Sequence, residues 1–116
     1  MKKVREIIFY GTHFIDFYIE LPKEVQEKLE YVFTVIKQVD MIPAKFLKHI
    51  EGTDGLYEIR VEYKGISYRI FCCFDKMLLV VLFNAFIKTS NKTPMNEIQI
   101  ALKLKKDYFR NKIKGK

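Results

Sequence analysis

The 116-residue sequence lacks the features of membrane and secreted proteins. Its longest apolar run, Met77 to Ile87, contains Asn84 and falls well short of the roughly 20 apolar residues that a membrane-spanning helix needs. The first residues hold an apolar segment that is too short for a signal peptide and is interrupted by Arg5 and Glu6. We therefore expect a cytoplasmic protein without a membrane partner.

Cysteine and histidine are scarce, with two residues of each. Cys72 and Cys73 are neighbours in a predicted strand, so their side chains point to opposite faces and are poorly placed to pair. Their spacing matches no zinc pattern, and His13 and His49 lie far apart in the sequence. We expect two buried, reduced thiols, no metal site and no cofactor.

Positive charge is abundant but unevenly distributed. The chain has 21 Lys and Arg against 14 Asp and Glu, a formal net charge of +7. Residues 1–54 carry eight basic and nine acidic side chains, whereas residues 55–116 carry thirteen and five. Such clustering predicts a polyanionic partner, whether nucleic acid, the ribosome or an acidic protein.

Apolar periodicity predicts a single α+β domain spanning residues 1–116, with the element order β-α-α-β-β-β-α. The run from Val4 to Tyr10 is β-branched and aromatic, as is typical of a strand. A short helix capped by Thr12 follows, and Pro22 suits the first position of a second helix. The two helices are expected to form a hairpin on one face of a small, mostly antiparallel sheet. The apolar face of the second helix comprises Val25, Leu29, Val32, Phe33 and Ile36.

Turn residues predict how the first two of three later strands pair. A two-residue turn at Lys64-Gly65 places Arg60 directly opposite Arg69, with Cβ atoms about 5 Å apart. Facing arginines destabilise a sheet unless something compensates their charge. Glu58 and Glu62 on the same strand face offer one compensation, an ion-paired grid, and an anionic ligand offers the other. The fit of arginine to phosphate favours the ligand.

A second two-residue turn, at Asp75-Lys76, is predicted to place Leu82 beside Arg69 and Val80 beside Phe71. The third strand, Leu78 to Phe86, is apolar on both faces and must be covered on both. It leads into a polar loop ending at Thr93, the predicted N-cap of the last helix. The connector over residues 40–55 is expected to be irregular. The buried stripe of the last helix is predicted to comprise Met95, Ile98, Leu102, Phe109 and Ile113.

Four segments stand in a distinctive order: LYEIR (56–60), YRIFCCF (68–74), NAFIKTSNKTP (84–94) and EIQIALKLKKDY (97–108). Together they resemble the HigB-like, phage-derived branch of the RelE/ParE toxin superfamily. The resemblance spans nearly the whole chain and implies a RelE-like fold. It also implies the toxin of a type II toxin–antitoxin pair, held in a hetero-oligomer by a cognate helix-turn-helix antitoxin.

The target of such a toxin stays open at this point. Many relatives are ribosome-dependent endoribonucleases that cleave mRNA, whereas ParE-like relatives inhibit DNA gyrase without enzymatic activity. A third alternative is a non-catalytic, phage-derived module that binds nucleic acid. The resemblance favours the mRNA endoribonuclease, with mRNA and the ribosome as partners.

Catalytic residues are suggested by the chemistry of RNA cleavage together with the resemblance. Without metal, the adjacent 2′-hydroxyl attacks the phosphate, and the reaction needs a base, an acid and positive charge at the phosphate. Arg60, Arg69 and Lys88 match basic positions of the family. The two arginines are expected to supply that charge, and Lys88 is a candidate catalytic lysine. Glu58 is a candidate base or an ion-pair partner, and His49 is expected to be a connector residue.

Three further residues are predicted to bind RNA or the ribosome. Lys92 matches a second family lysine in the polar loop, and Lys48 lies in the basic part of the connector. Tyr63, next to the first turn, is predicted to stack on a base.

Overall fold

The computed structural model describes residues 3–89 and 91–114, with side chains as far as Lys112, and in this part the chain forms three helices and five strands. The predicted α+β class is confirmed. The elements are β1 (Glu6–Phe9), α1 (His13–Ile19), α2 (Lys23–Gln38), β2 (Leu47–His49), β3 (Tyr57–Tyr63), β4 (Ile66–Asp75), β5 (Leu79–Lys88) and α3 (Met95–Lys114).

The five strands form one sheet in the order β1-β5-β4-β3-β2. β1 runs parallel to β5, and the other neighbours are antiparallel, which confirms the predicted mostly antiparallel sheet. Strand β2 was not predicted, because three residues are too few to show a periodicity of two. It lies in the supposed connector and pairs with the first half of β3.

The first hairpin has the predicted register. Lys64 and Gly65 both have positive φ angles, 49° and 79°, as a two-residue type I′ turn requires. Tyr63 pairs with Ile66, and Arg60 pairs with Arg69. The facing arginine pair is therefore a property of the backbone register and was correctly deduced from the turn.

The second hairpin corrects the prediction. Its turn contains three residues, so that Asp75 pairs with Leu79, and Lys76 and Met77 both adopt positive φ angles. A register shift between Ile70 and Cys72 then inserts one extra residue in β5. The predicted pairings of Leu82 with Arg69 and of Val80 with Phe71 are wrong, because the turn is longer and the ladder irregular. Arg69 instead pairs with Phe86.

The two faces of the sheet bury separate apolar clusters. Helices α1 and α2 cover one face, where the complete predicted stripe of α2 is buried. Helix α3 covers part of the other face, where its Ala101 is buried in one cluster with Phe71 and Phe83 of the sheet. Cys72 and Cys73 are both buried and belong to opposite clusters, as predicted. No helix in the described part of the chain is long and apolar enough to cross a membrane.

Helix α3 departs from its predicted buried stripe at the N-terminal end. Met95 is 66% exposed, so its assignment to the stripe is wrong, whereas Ile98, Leu102 and Phe109 pack against the cluster. Met95 is exposed because the first turn of α3 lies beside polar groups of the sheet, where Asn84 Nδ2 donates to the backbone oxygen and Oε1 of Glu97, both at 3.0 Å. The side chain of Ile113 lies outside the described residues.

The C-terminal half of α3 is held by a buried carboxylate at the end of β4. Asp75 Oδ2 accepts hydrogen bonds from Lys112 Nζ and from the Tyr108 hydroxyl, both at 2.7 Å. These bonds, first Lys112 and then Tyr108, hold the pKa of Asp75 below its ordinary value. Burial and the bond to Asp75 raise the pKa of Tyr108 to about 12.

Candidate functional site

Basic side chains from three strands meet on the α3 face of the sheet, beside the apolar cluster. Arg60 and Arg69 are directly paired, and Lys88 of β5 pairs with Ser67 of β4. Paired residues of antiparallel strands share a face, so these side chains all lie on the face away from α1 and α2. The three residues predicted to be catalytic are thus brought together.

The extra residue in β5 decides where Lys88 points. Beside the turn, Asp75 pairs with Leu79, and if that register continued, Ile87 would pair with Ser67. Lys88 would then lie on the face covered by α1 and α2, because a one-residue slip exchanges the two faces. The irregularity returns Lys88 to the arginine face, as is usual for bulges that re-aim a side chain next to a site.

Glu58 lies between the two arginines. Its side chain is only 3% exposed, and Oε1 is 3.7 Å from the Nε atoms of both Arg60 and Arg69. The Thr93 hydroxyl donates to Oε2 at 3.4 Å, so Thr93 contacts the site in addition to preceding α3. The carboxylate therefore neutralises part of the charge of the facing pair, as the ion-paired alternative predicted.

A second carboxylate contacts Arg69 from the exposed side. Glu62 Oε2 accepts a hydrogen bond from Arg69 Nη1 at 2.9 Å, and Glu62 Oε1 accepts one from Ser67 Oγ at 2.7 Å. The hydrogen bond from Ser67, followed by the contact with Arg69, lowers the pKa of Glu62 from its ordinary value. Both glutamates named from the sequence thus contact the arginines.

The ion pairs leave donor capacity unused. The Nε atoms of Arg60 and Arg69 are buried, and neither has a hydrogen-bond partner among the described residues. A distance of 3.7 Å to Glu58 keeps the Coulomb attraction but exceeds hydrogen-bonding range. Buried donors are nearly always bonded in folded proteins, so the Nε atoms of the facing pair, like that of Arg5, are exceptions that the described side chains do not satisfy.

Two adjoining cavities open on this face. One has a volume of about 330 Å³ and is lined by Ser67, Arg69, Lys88, Thr89 and Asn91. The other has a volume of about 270 Å³ and shares Lys88 and Asn91 with the first. Its further polar lining comprises Lys48, His49, Glu51, Glu58, Arg60 and Thr93, so it holds two carboxylates beside its basic groups.

The residues predicted to bind RNA or the ribosome occupy different places. Lys48 pairs with Glu58, which puts it on the arginine face, where it lines the second cavity. Lys92 is exposed in the loop before α3. Tyr63 lies away from these residues, because it packs partly buried against the cluster under α1 and α2, with Lys64 Nζ 5.5 Å from its ring centre.

His49 belongs to the short strand β2, not to an irregular connector. Its ring lies edge-on to Tyr57, with ring centres 5.2 Å apart, and its Nε2 is 3.1 Å from the Thr53 oxygen. Pairing with Tyr57 directs its side chain to the face opposite the arginines, and the residue nevertheless lines the second cavity at the end of β2.

Sequence reasoning missed several polar residues at the site, namely Ser67, Thr89 and Asn91. The signal for Thr89 and Asn91 was the polar loop after β5, whose individual residues carry no pattern of their own, and the signal for Ser67 was its pairing with Glu62 on the arginine face. In the part of the chain that the structure describes, no three His, Cys, Asp or Glu side chains are grouped as metal ligands would be. The site's chemical capacity is to bind and stabilise negative charge on a group such as phosphate.

Comparison with known families identifies the chain. Residues 16–106 match the family described as "Phage derived protein Gp49-like (DUF891)", and no curated protein matches the sequence. This family falls within the RelE/ParE-like toxin superfamily, and its members are often toxins of toxin–antitoxin systems. The match covers most of the chain, including every residue of the basic face. The protein therefore belongs to the phage-derived Gp49-like family.

Proposed function

We propose that this protein is the toxin of a type II toxin–antitoxin pair, of the HigB-like branch, and that it inhibits translation as a ribosome-dependent mRNA endoribonuclease. The observation that carries the proposal is the convergence of Arg60, Arg69 and Lys88 on adjoining cavities of one sheet face. A cognate helix-turn-helix antitoxin neutralises the toxin, and both act in the cytoplasm.

In the proposed reaction, the ribosome presents mRNA to the basic face. The 2′-hydroxyl of one nucleotide attacks the adjacent phosphorus, and the bond to the 5′-oxygen of the next nucleotide breaks. The products are a 2′,3′-cyclic phosphate and a free 5′-hydroxyl. Negative charge grows on the non-bridging oxygens during attack, and the guanidinium groups of Arg60 and Arg69, which line the two cavities, stabilise it.

Lys88 and Glu58 have different parts in this scheme. The Lys88 ammonium borders both cavities and donates the proton that the leaving 5′-oxygen takes up. Glu58 holds the two guanidinium groups in register while the site is empty, and the phosphate displaces that weak contact. The ribosome supplies the group that deprotonates the 2′-hydroxyl.

Replacement of Arg69 by alanine tests the proposal. Loss of one preorganised donor is expected to slow cleavage of ribosome-bound mRNA about 10²- to 10³-fold, measured by primer extension with and without ribosomes. Because Arg69 is buried, the more exposed Arg60→Ala is made in parallel and both are checked for folding by circular dichroism. Lys103→Ala, at an exposed position of α3, is the matched control and is expected to cleave normally.

Two results would contradict the proposal. If the folded Arg60→Ala and Arg69→Ala variants cleave as fast as the wild type, the two arginines do not act in catalysis. Inhibition of gyrase supercoiling with intact mRNA would assign the protein to the non-enzymatic alternative. Co-expression with a neighbouring helix-turn-helix reading frame tests the antitoxin, and restored growth is the expected outcome.

A further inference from the structure

A third cavity adjoins the basic face and contains residues that the proposed reaction does not use. Its volume is about 240 Å³, and it lies between α2 and the β3 edge of the sheet. Its lining comprises Lys28 and Tyr31 of α2, Lys45 and Phe46 before β2, and Arg60 and Glu62 of β3.

The cavity exists because β2 is short. Leu47, the first residue of β2, pairs with Ile59, and the Arg60 N–H donates to the Phe46 oxygen at 2.8 Å. Beyond Arg60, no further strand pairs with this edge of β3 within the described residues. The surface therefore passes from the arginine face around the open edge toward α2.

Shared lining residues show that the three cavities are neighbours along this surface. Arg60 lines both the second and the third cavity, while Lys88 and Asn91 line both the first and the second. The path begins at Arg69, crosses Lys88 and Arg60, and ends at Tyr31. A single extended chain fits such a path better than a compact ligand.

The third cavity combines an exposed aromatic ring with positive charge. Tyr31 is 58% exposed, and its ring meets the buried Phe46 ring edge-on, with centres 6.2 Å apart. Lys45 Nζ lies 5.0 Å from the centre of the Phe46 ring. Phe46 thus holds Tyr31 in place from one side and leaves much of its ring open to a stacking partner.

The charges at this cavity favour an anion. Lys28, Lys45 and Arg60 line it with one carboxylate, Glu62, which is bonded to Ser67 and Arg69. Arg60 is partly compensated by Glu58 at 3.7 Å, so the two lysines supply most of the positive charge. A nucleotide has both a π-face for the tyrosine and a phosphate for the cations. An acidic peptide would use the cations and leave the exposed ring without a stacking partner.

We infer that the third cavity is a subsite for one unpaired nucleobase and its phosphate, in the single-stranded RNA whose neighbouring phosphate lies at Arg60, Arg69 and Lys88. The base stacks on Tyr31, and Lys28 and Lys45 bind the phosphate. This inference rests on the proposed function for the identity of the strand. It adds a flanking position at which the protein recognises RNA outside the cleaved bond.

Tyr31→Ala tests the stacking directly. Fluorescence anisotropy measures the affinity of the purified full chain for labelled 2′-O-methyl oligoribonucleotides, which cannot be cleaved. Loss of one stacked base is expected to weaken binding about 10-fold. Tyr31→Phe retains the ring and is expected to bind as the wild type does. Phe9→Ala, an exposed aromatic on the distant edge strand β1, is the matched control.

Abasic substitution locates the stacked base. Removal of each base in turn is expected to weaken wild-type binding most at one position, and Tyr31→Ala should abolish that dependence. An unchanged affinity and an unchanged abasic profile in Tyr31→Ala would overturn the inference. So would a variant that binds RNA normally but no longer captures the antitoxin, because the cavity would then serve a protein partner.

The same experiments separate the two proposals. If Arg69→Ala abolishes mRNA cleavage while Tyr31→Ala leaves the abasic profile unchanged, the nucleobase subsite is contradicted and the endoribonuclease activity is supported. If the wild type cleaves no ribosome-bound mRNA but shows the Tyr31-dependent abasic profile, the nucleobase subsite is supported and the endoribonuclease activity is contradicted. A wild type that neither cleaves mRNA nor binds the oligoribonucleotides contradicts both.

Discussion

The two faces of the sheet solve the same packing problem in different ways. The face under α1 and α2 is covered by apolar side chains, with Leu29, Ile59 and Leu82 fully buried. The face under α3 is apolar for only part of its area and then becomes charged, with Glu58 and Arg69 buried beside the cluster. The first face is packed with apolar side chains, whereas the second also buries the charged groups that are proposed to bind an anion.

This difference explains why the charged residues lie on the face that α3 covers only in part. A buried charge is tolerated only if it is paired, and each paired arginine here still has an unbonded Nε. A covering helix with apolar side chains over the whole face would have excluded these charges. Helix α3 instead begins at Met95, and polar groups of the sheet bond it near both ends, Asn84 in the first turn and Asp75 near the C-terminal end.

The largest expected effect compares the same substitution on the two faces. Leu29→Ala should lower the free energy of unfolding by about 2–5 kcal/mol, because Leu29 is fully buried under α2. Leu102→Ala, at a half-buried position of α3, should cost about 1–2 kcal/mol, because less apolar surface is lost. Urea denaturation measures both, and equal losses would show that the two faces contribute alike.

An intermediate effect concerns the carboxylate that holds α3. Asp75→Asn is expected to lower stability by about 1.5–3 kcal/mol near neutral pH, since it removes a charged hydrogen-bond acceptor. The folded-state pKa of Asp75 is depressed, so its contribution is complete above the ordinary value of 3.8 and disappears as the pH falls through the lower folded value. The difference between Asp75→Asn and the wild type should therefore shrink in acid.

Urea denaturation at about pH 6 and about pH 3 checks this pH dependence. Asp16→Asn, at an exposed position of α1 on the other face, is the matched control and should show little change. A difference for Asp75→Asn that stays constant down to the lower pH would mean that the hydrogen bonds, and not the charge, hold α3.

The smallest expected effect on stability concerns Glu58, and it decides between the ion-paired and the ligand-binding states of the charged face. Glu58→Gln should lower stability by about 1 kcal/mol, because it leaves the facing arginines less compensated. It should also tighten binding of inorganic phosphate several-fold, because the competing carboxylate is gone. Thermal unfolding at increasing phosphate concentration measures both effects, since a ligand of the folded state raises the midpoint.

Glu62→Gln provides the comparison for Glu58, because its side chain is 60% exposed and contacts Arg69 from the solvent side. Its replacement should change phosphate binding less. Weaker phosphate binding in Glu58→Gln would mean that Glu58 orients the arginines for the anion and does not compete with it.

Much of the fold was predictable because local rules were strong. The spacing of Val25, Leu29 and Ile36 marks one helical face, and the Lys64-Gly65 turn sets the whole register of the first hairpin. The second hairpin could not be predicted, because neither a three-residue turn with two non-glycine residues at positive φ nor the irregularity in β5 has a distinctive sequence signal. Strand β2 was not predicted for a similar reason, since only its pairing with β3 defines it.

For the site, the sequence by itself determined which charges the chain carries and that Arg60 faces Arg69, because turn geometry and the strand period of two depend on neighbouring residues alone. Only the tertiary structure decided that Lys88 joins them, that Thr93 contacts Glu58, and that Tyr31 lines a cavity with Arg60. Those positions depend on a bulge, on the start of α3 and on the length of β2. Each results from contacts between residues that are distant in the chain, and no local pattern records them.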